Sequence, residues 1–137
     1  MSNLEIARDF FDACETGKGW SVCSAFCHPT ATFSAQADAL AGIETLEDYC
    51  GWMAGMLTPI PDARYELKFF AEDSDSHSVA GYAVLHGTQT GPGGPVEATG
   101  KSIKADYVYH MVFDGDRISH MTKIWNDGHS LVQMGWA

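Results

Sequence analysis

Met121, Lys123, Trp125 and Asp127 alternate along a run near the C-terminus that reads as a β-strand, so their side chains share one face. A face carrying a cation, an indole, an acid and a thioether is unlike a plain core face. It suits the lining of a pocket in which protons move. Asp127 ends the run. Partly withdrawn from water, its carboxyl would rise toward the range of a working general acid or base. The competing reading makes it the cap of a short helical turn through Gly128-His129-Ser130. Lys123, on the same side, either pairs with Asp127, binds an anion, or is turned to solvent by a bulge.

The elements that must position these residues are legible as changes of period. Residues 3–17 read as a helix: Asn3 can cap it, Ala7, Phe10, Phe11 and Cys14 form a stripe, and Gly17 stands where a C-terminal glycine belongs. A shorter helix covers about residues 19–27 and stops before Pro29, with a brief strand from Ala31 to Ala35. A third helix runs from about Ile43 to Thr58. Its apolar stripe includes Tyr49, Cys50, Met53 and Met56. From Pro61 the period becomes two, giving strands over Arg64–Glu72, Ser78–Thr90, Thr99–Phe113 and Arg117–Trp125. Asp114-Gly115-Asp116 is the turn of a hairpin.

Helices first and antiparallel strands afterwards indicate an α+β fold: a cone of three N-terminal helices on a strongly curved, mostly antiparallel sheet, with an internal pocket. Ile103, Ala105, Tyr107, Tyr109, Met111 and Phe113 share the inner face of their strand. Lys104, Asp106, Val108 and His110 then lie outside, a mixture common at dimer surfaces, and His120 lies outside by the same parity. Tyr49, Trp52 and Met53 on the third helix, with Tyr107 and Trp125, suit a flat apolar or aromatic ligand. Their competing role is core packing. His28, before Pro29 at the cone's edge, is a binding candidate or a turn residue.

Composition excludes several classes. With 137 residues and 45% hydrophobic content the chain is expected to be one domain over 1–137 with a real core. A net charge of −10, with only eight Lys and Arg, argues against nucleic acid. No apolar run approaches the roughly 18 residues of a membrane span, and the acidic N-terminus is unlike a signal peptide, so a cytoplasmic location is expected. Cys14, Cys23, Cys27 and Cys50 lie in apolar stretches. Cys23-x3-Cys27-His28 lacks a second ligand pair at zinc spacing, so free thiols and no metal are expected. Gly91–Pro95 is a turn rather than a phosphate loop, since no Lys-Ser/Thr or helix follows. No cofactor is expected.

The order helix-helix-strand-helix and then four strands resembles the nuclear-transport-factor-2-like superfamily, and within it the SnoaL-like polyketide cyclases and ketosteroid isomerase relatives. The resemblance rests on Gly115-Asp116-Arg117-Ile118, on Asp127 with Leu131-Val132-Gln133-Met134-Gly135, on Phe10-Phe11, and on His28-Pro29-Thr30-Ala31-Thr32-Phe33. It implies that Tyr82, Val84 and His86 turn inward, where His86 would be a proton shuttle, a ligand handle or a wall histidine bonded to a neighbouring Tyr. It also implies that Asp127 matches the last-strand acid of the cyclases. The positions matching a ketosteroid isomerase's Tyr, base Asp and protonated Asp are Phe10, Ala35 or Gln36, and Tyr109. Without the base, isomerisation of that type is not expected.

Two functions follow. One is cofactor-free lyase, isomerase or cyclase chemistry on a small to medium apolar carbonyl compound. Asp127 would move the proton, with Tyr109 or His86 at the enolate oxygen, in a closed pocket of several hundred Å3. The other is a non-catalytic ligand-binding or dimerisation module of the same fold. A homodimer through the outer sheet face is expected in either case.

Overall fold

A computed structural model describes residues 1–137. The chain runs α1 (Asn3–Glu15), α2 (Trp20–Cys23), β1 (Cys27–Ala35), α3 (Leu46–Met56), β2 (Arg64–Asp73), β3 (Ser78–Thr88), β4 (Ser102–Asp114), β5 (Arg117–Trp125) and α4 (Asp127–Met134). A 3-10 turn, Ser24–Phe26, follows α2, and another, Asp38–Leu40, precedes α3. The cap of α1 is Ser2, whose hydroxyl accepts the Glu5 N–H, rather than Asn3. Thr45 caps α3 through the Asp48 N–H. No helix is long and apolar enough to cross a membrane.

The five strands form one curled, unclosed sheet in the order β1-β5-β4-β3-β2. β2, β3, β4 and β5 pair antiparallel in sequence, and β1 joins the sheet parallel to β5. β1 starts earlier than its alternation suggests, at Cys27, and carries Pro29. As an edge strand it has a side on which a missing N–H loses no ladder bond. Register shifts fall between Leu67 and Phe69 and between Val112 and Phe113, irregularities of the kind that bend a strand locally.

The inner face of β4 is the expected one: Ile103, Ala105, Tyr107, Tyr109, Met111 and Phe113 are all buried. Ile6, Phe10, Phe11 and Cys14 of α1 and Leu46, Tyr49, Cys50 and Met53 of α3 pack on it in the main core. The fourth helix, α4, was expected only as a turn. Its Met134 joins Ile60, Ile103 and Ala105 in a second cluster at one end of the sheet. Asn126 caps α4 by accepting the His129 N–H. Gly135 ends it at φ 74°, a left-handed conformation that glycine adopts without strain.

Candidate active site

β5 delivers Lys123 to the bottom of the cone. Strand parity puts Met121 and Lys123 inward, and Lys123 is only 6% exposed. Its Nζ donates to the Tyr49 hydroxyl at 3.0 Å, and that hydroxyl in turn bonds the Tyr109 hydroxyl. Aromatic rings surround the amine: Trp125 at 4.3 Å, Tyr49 at 5.2 Å, Trp52 and Tyr107 at 5.3 Å, and Tyr109 at 5.9 Å to centroid. Trp125 is held by donation from its Nε1 to Ser130 Oγ at 3.0 Å. Phe33 of β1 stacks on Tyr49 at 4.4 Å and fixes that ring.

The acid of this site is Glu15, the last residue of α1, 3% exposed. Burial raises its carboxyl, while the Lys123 charge pulls it back down. Burial in turn pulls the Lys123 amine down to about 8, opposed by the Glu15 charge. The two groups are therefore both pushed toward neutrality. Burial also holds the phenols of Tyr49, Tyr107 and Tyr109 well above the usual range, so they stay protonated donors. Glu15 Oε1 and the Tyr107 hydroxyl are buried and make no hydrogen bond within the chain. Native interiors rarely leave such groups without a partner.

Glu15, Tyr107, Lys123 and Trp125 line one cavity together with Trp52, Met53, Met56 and Met134, between the two hydrophobic clusters. Its volume is about 40 Å3, not several hundred, which is room for roughly three waters. A larger ligand requires the wall to part. Met53, Met56 and Met134 give that wall an adaptable, unbranched surface.

Other predicted residues lie elsewhere. Gly81 of β3 sits opposite Tyr109 of β4, so the inner face of β3 is Val79, Gly81, Ala83, Leu85 and Gly87. Tyr82, Val84 and His86 point outward, contrary to the expectation. The inner positions of β3 are small because their neighbours fill the space: a Cβ at Gly81 would lie 2.4 Å from the Phe70 ring, and one at Gly87 2.4 Å from Ile60. Outside, Tyr82 donates to Asp106 Oδ1 at 2.8 Å, and His86 Nε2 meets Glu66 Oε1 at 3.1 Å.

Asp127 also misses the cone. The alternation that places Lys123 ends with β5 at Trp125, and Asp127 opens α4. Its Oδ2 accepts the Ala39 N–H at 2.9 Å, pinning the 3-10 turn before α3. Capping of α4 falls to Asn126. Asp127 instead rims an open groove of about 890 Å3 on the outer sheet face, with Ser34, Gln36, Tyr82, Asp106 and Thr122. Tyr107, Lys123 and Trp125 also border that groove, but the buried acid Glu15 lines the cone cavity instead. His28 sits beside the β4–β5 turn, its Nε2 3.1 Å from the Asp114 carbonyl oxygen.

All four thiols are buried. The sulfurs of Cys14, Cys23 and Cys50 lie within 4.8 Å of one another, all buried. Cys27 stands apart from them, and its thiol is pushed up to about 12 by burial.

Of the predicted site residues, the structure thus brings Tyr49, Trp52, Met53, Tyr107, Tyr109, Lys123 and Trp125 together. His28 and His86 lie apart from them, while Tyr82 and Asp127 share only the outer groove with Tyr107, Lys123 and Trp125. Glu15 was not anticipated, although a signal existed. It stands four residues after Phe11 and eight after Ala7, so an acid lies on the apolar stripe of α1.

Helices laid into a curled mixed sheet, with polar groups at the bottom of the cone, define an α+β pocket fold. The chain matches the SnoaL-like domain family over residues 7–121 and belongs to that family. No curated protein matches its sequence. Three solved structures share the fold. A candidate SnoaL-like polyketide cyclase from Jannaschia sp. CCS1 is 16% identical, with a TM-score of 0.79 over 98% of this chain and 92% of its own. AclR, a candidate hydroxylase from Streptomyces galilaeus, is 18% identical, with a TM-score of 0.78 over 98% and 85%. TerC, co-crystallised with polyporic acid, is 13% identical, with a TM-score of 0.71 over 97% and 98%.

Proposed function

We propose that the cone is a cofactor-free acid–base site acting on a small apolar carbonyl compound, a cyclase- or isomerase-type activity in keeping with the family. The observation that carries this reading is the pair of unpartnered buried atoms, Glu15 Oε1 and the Tyr107 hydroxyl, on the cavity that also holds Lys123. Glu15 removes or returns the proton on the carbon next to the carbonyl. Lys123, held by the Tyr49–Tyr109 hydroxyl pair, faces the carbonyl end, where negative charge develops. Asp127 and His86 have no part in it. The rings around Lys123 favour a flat, apolar or aromatic substrate, and a neighbour that holds polyporic acid supports the same ligand class.

The test is exchange of the α-protons of cyclohexanone in D2O, followed by NMR. Wild type exchanges above buffer, and Glu15→Gln loses about 10²–10⁴ of the enhancement, as expected for removal of a general base. Ligand binding with no exchange in the wild type would favour the non-catalytic module. The outer sheet face, with Val108 beside an Ile124 that is 63% exposed, is read as the homodimer surface.

A further inference from the structure

We propose that Lys123 is a nucleophile whose amine condenses with the carbonyl carbon of a small aldehyde or ketone in the cone, giving a covalent iminium. The inference rests on the carbonyl reading above and makes its first step covalent.

Lys123 is unlike the other lysines of the chain. Lys18, Lys68, Lys101 and Lys104 are exposed, whereas Lys123 ends in the cavity. A lysine taken out of water into an apolar pocket is available as free base near neutrality, the condition for amine nucleophiles. The titratable groups facing it are Glu15 of α1, Tyr49 of α3 and Tyr107 and Tyr109 of β4, with Cys14 behind them. Burial favours the protonated form of the Glu15 carboxyl, opposed by the Lys123 charge. One void thus holds an amine that burial shifts toward its free base and a carboxyl that burial shifts toward its acid form.

Those two forms match the needs of condensation. The amine nitrogen adds to the carbonyl carbon, and the C=O pair moves to oxygen. Proton transfer from nitrogen to oxygen gives a neutral carbinolamine. Its C–O bond then breaks as Glu15 donates a proton to the departing hydroxyl, releasing water. Nitrogen's lone pair forms the C=N bond, leaving an iminium cation beside a Glu15 carboxylate. The cation inherits the five-ring cage, which attracts positive charge. The carboxylate can then remove the α-proton to give an enamine, and water reverses the sequence.

The experiment incubates wild-type protein with cyclohexanone and sodium cyanoborohydride, then maps the alkylated lysines by peptide mass spectrometry. At pH 7 an amine titrating at about 8 is roughly one part in ten free base, against about one in three thousand for an ordinary lysine. Lys123 is therefore expected to be labelled at least about tenfold more than Lys101 or Lys104, even with its restricted access. Label on the exposed lysines with Lys123 bare overturns the proposal. Lys123→Arg keeps the cation and must lose the adduct; if it fails to fold, the wild-type map already decides. The exchange assay separates the two readings. Exchange without a Lys123 adduct removes the iminium and leaves non-covalent acid–base chemistry standing. Loss of both removes both, and an adduct without exchange upholds the nucleophile alone.

Discussion

Replacing Lys123 by Met should change how stability depends on pH. Methionine is unbranched and fills nearly the same volume, so the main change is loss of an amine. In the folded chain that amine titrates at about 8, against the usual 10.5. Below about 8 it is charged in both states, and the folded state bears the full cost of holding an ammonium out of water. Between about 8 and 10.5 the unfolded chain still binds the proton and the folded chain does not, so the Lys123 contribution becomes more favourable as pH rises. Above 10.5 both states are neutral and the penalty is gone. The gap between those two values corresponds to about 3 kcal/mol.

Thiols and phenols held high by burial, Cys27 and Tyr107 among them, oppose this trend at alkaline pH in both proteins. The informative quantity is therefore the difference between wild type and variant. Urea unfolding at intervals from pH 7 to 10 should show the variant losing about 3 kcal/mol of relative stability over the full titration, most of it by pH 10. Profiles parallel to within about 0.5 kcal/mol would refute the reasoning. The five rings would then hold the ammonium as well as water does, at about 0.5–1 kcal/mol each.

Asp127→Asn should cost about 1 kcal/mol through a weaker bond to the Ala39 N–H and leave α-proton exchange within about twofold. A hundredfold loss of exchange would return Asp127 to the chemistry. His86→Ala removes a surface hydrogen bond with Glu66 and should shift stability by less than about 1 kcal/mol, with exchange unchanged. Tyr49→Phe takes away the acceptor of Lys123 Nζ and the partner of Tyr109, so thermal unfolding should report a loss of about 1–3 kcal/mol. Light scattering after size exclusion should give twice the chain mass; a monomer at every concentration tested would dispose of the homodimer.

Much of the fold was legible because local chemistry and tertiary structure agree along most of the chain. The inner face of β4 follows directly from alternation, since its one side is buried and the other is not, and β5 follows it from Met121 onward. β3 misleads for a physical reason. Tyr82 and His86 face outward and its two glycines inward, because Phe70 and Ile60 occupy the space that side chains at Gly81 and Gly87 would need. Asp127 misleads because extrapolating a strand's parity fails where the strand ends. Glu15 was hidden by the habit of scoring an acid as a helix's solvent face. The parallel pairing of β1 with β5 leaves no local trace, because its partners lie about 90 residues apart, as Phe33 and Met121 do.

That last pairing governs when the protein can become itself during synthesis. β5 is the seam between β1 and β4, so a nascent chain that has emerged only through β4 has a β1 with no strand beside it. Such an intermediate must hold its apolar edge until the last strand leaves the ribosome, and long-range closure of this kind folds slowly. The same strand brings Lys123. The cone's cation thus arrives with the strand that joins β1 to the rest of the sheet, and a chain cut short before it would lack both.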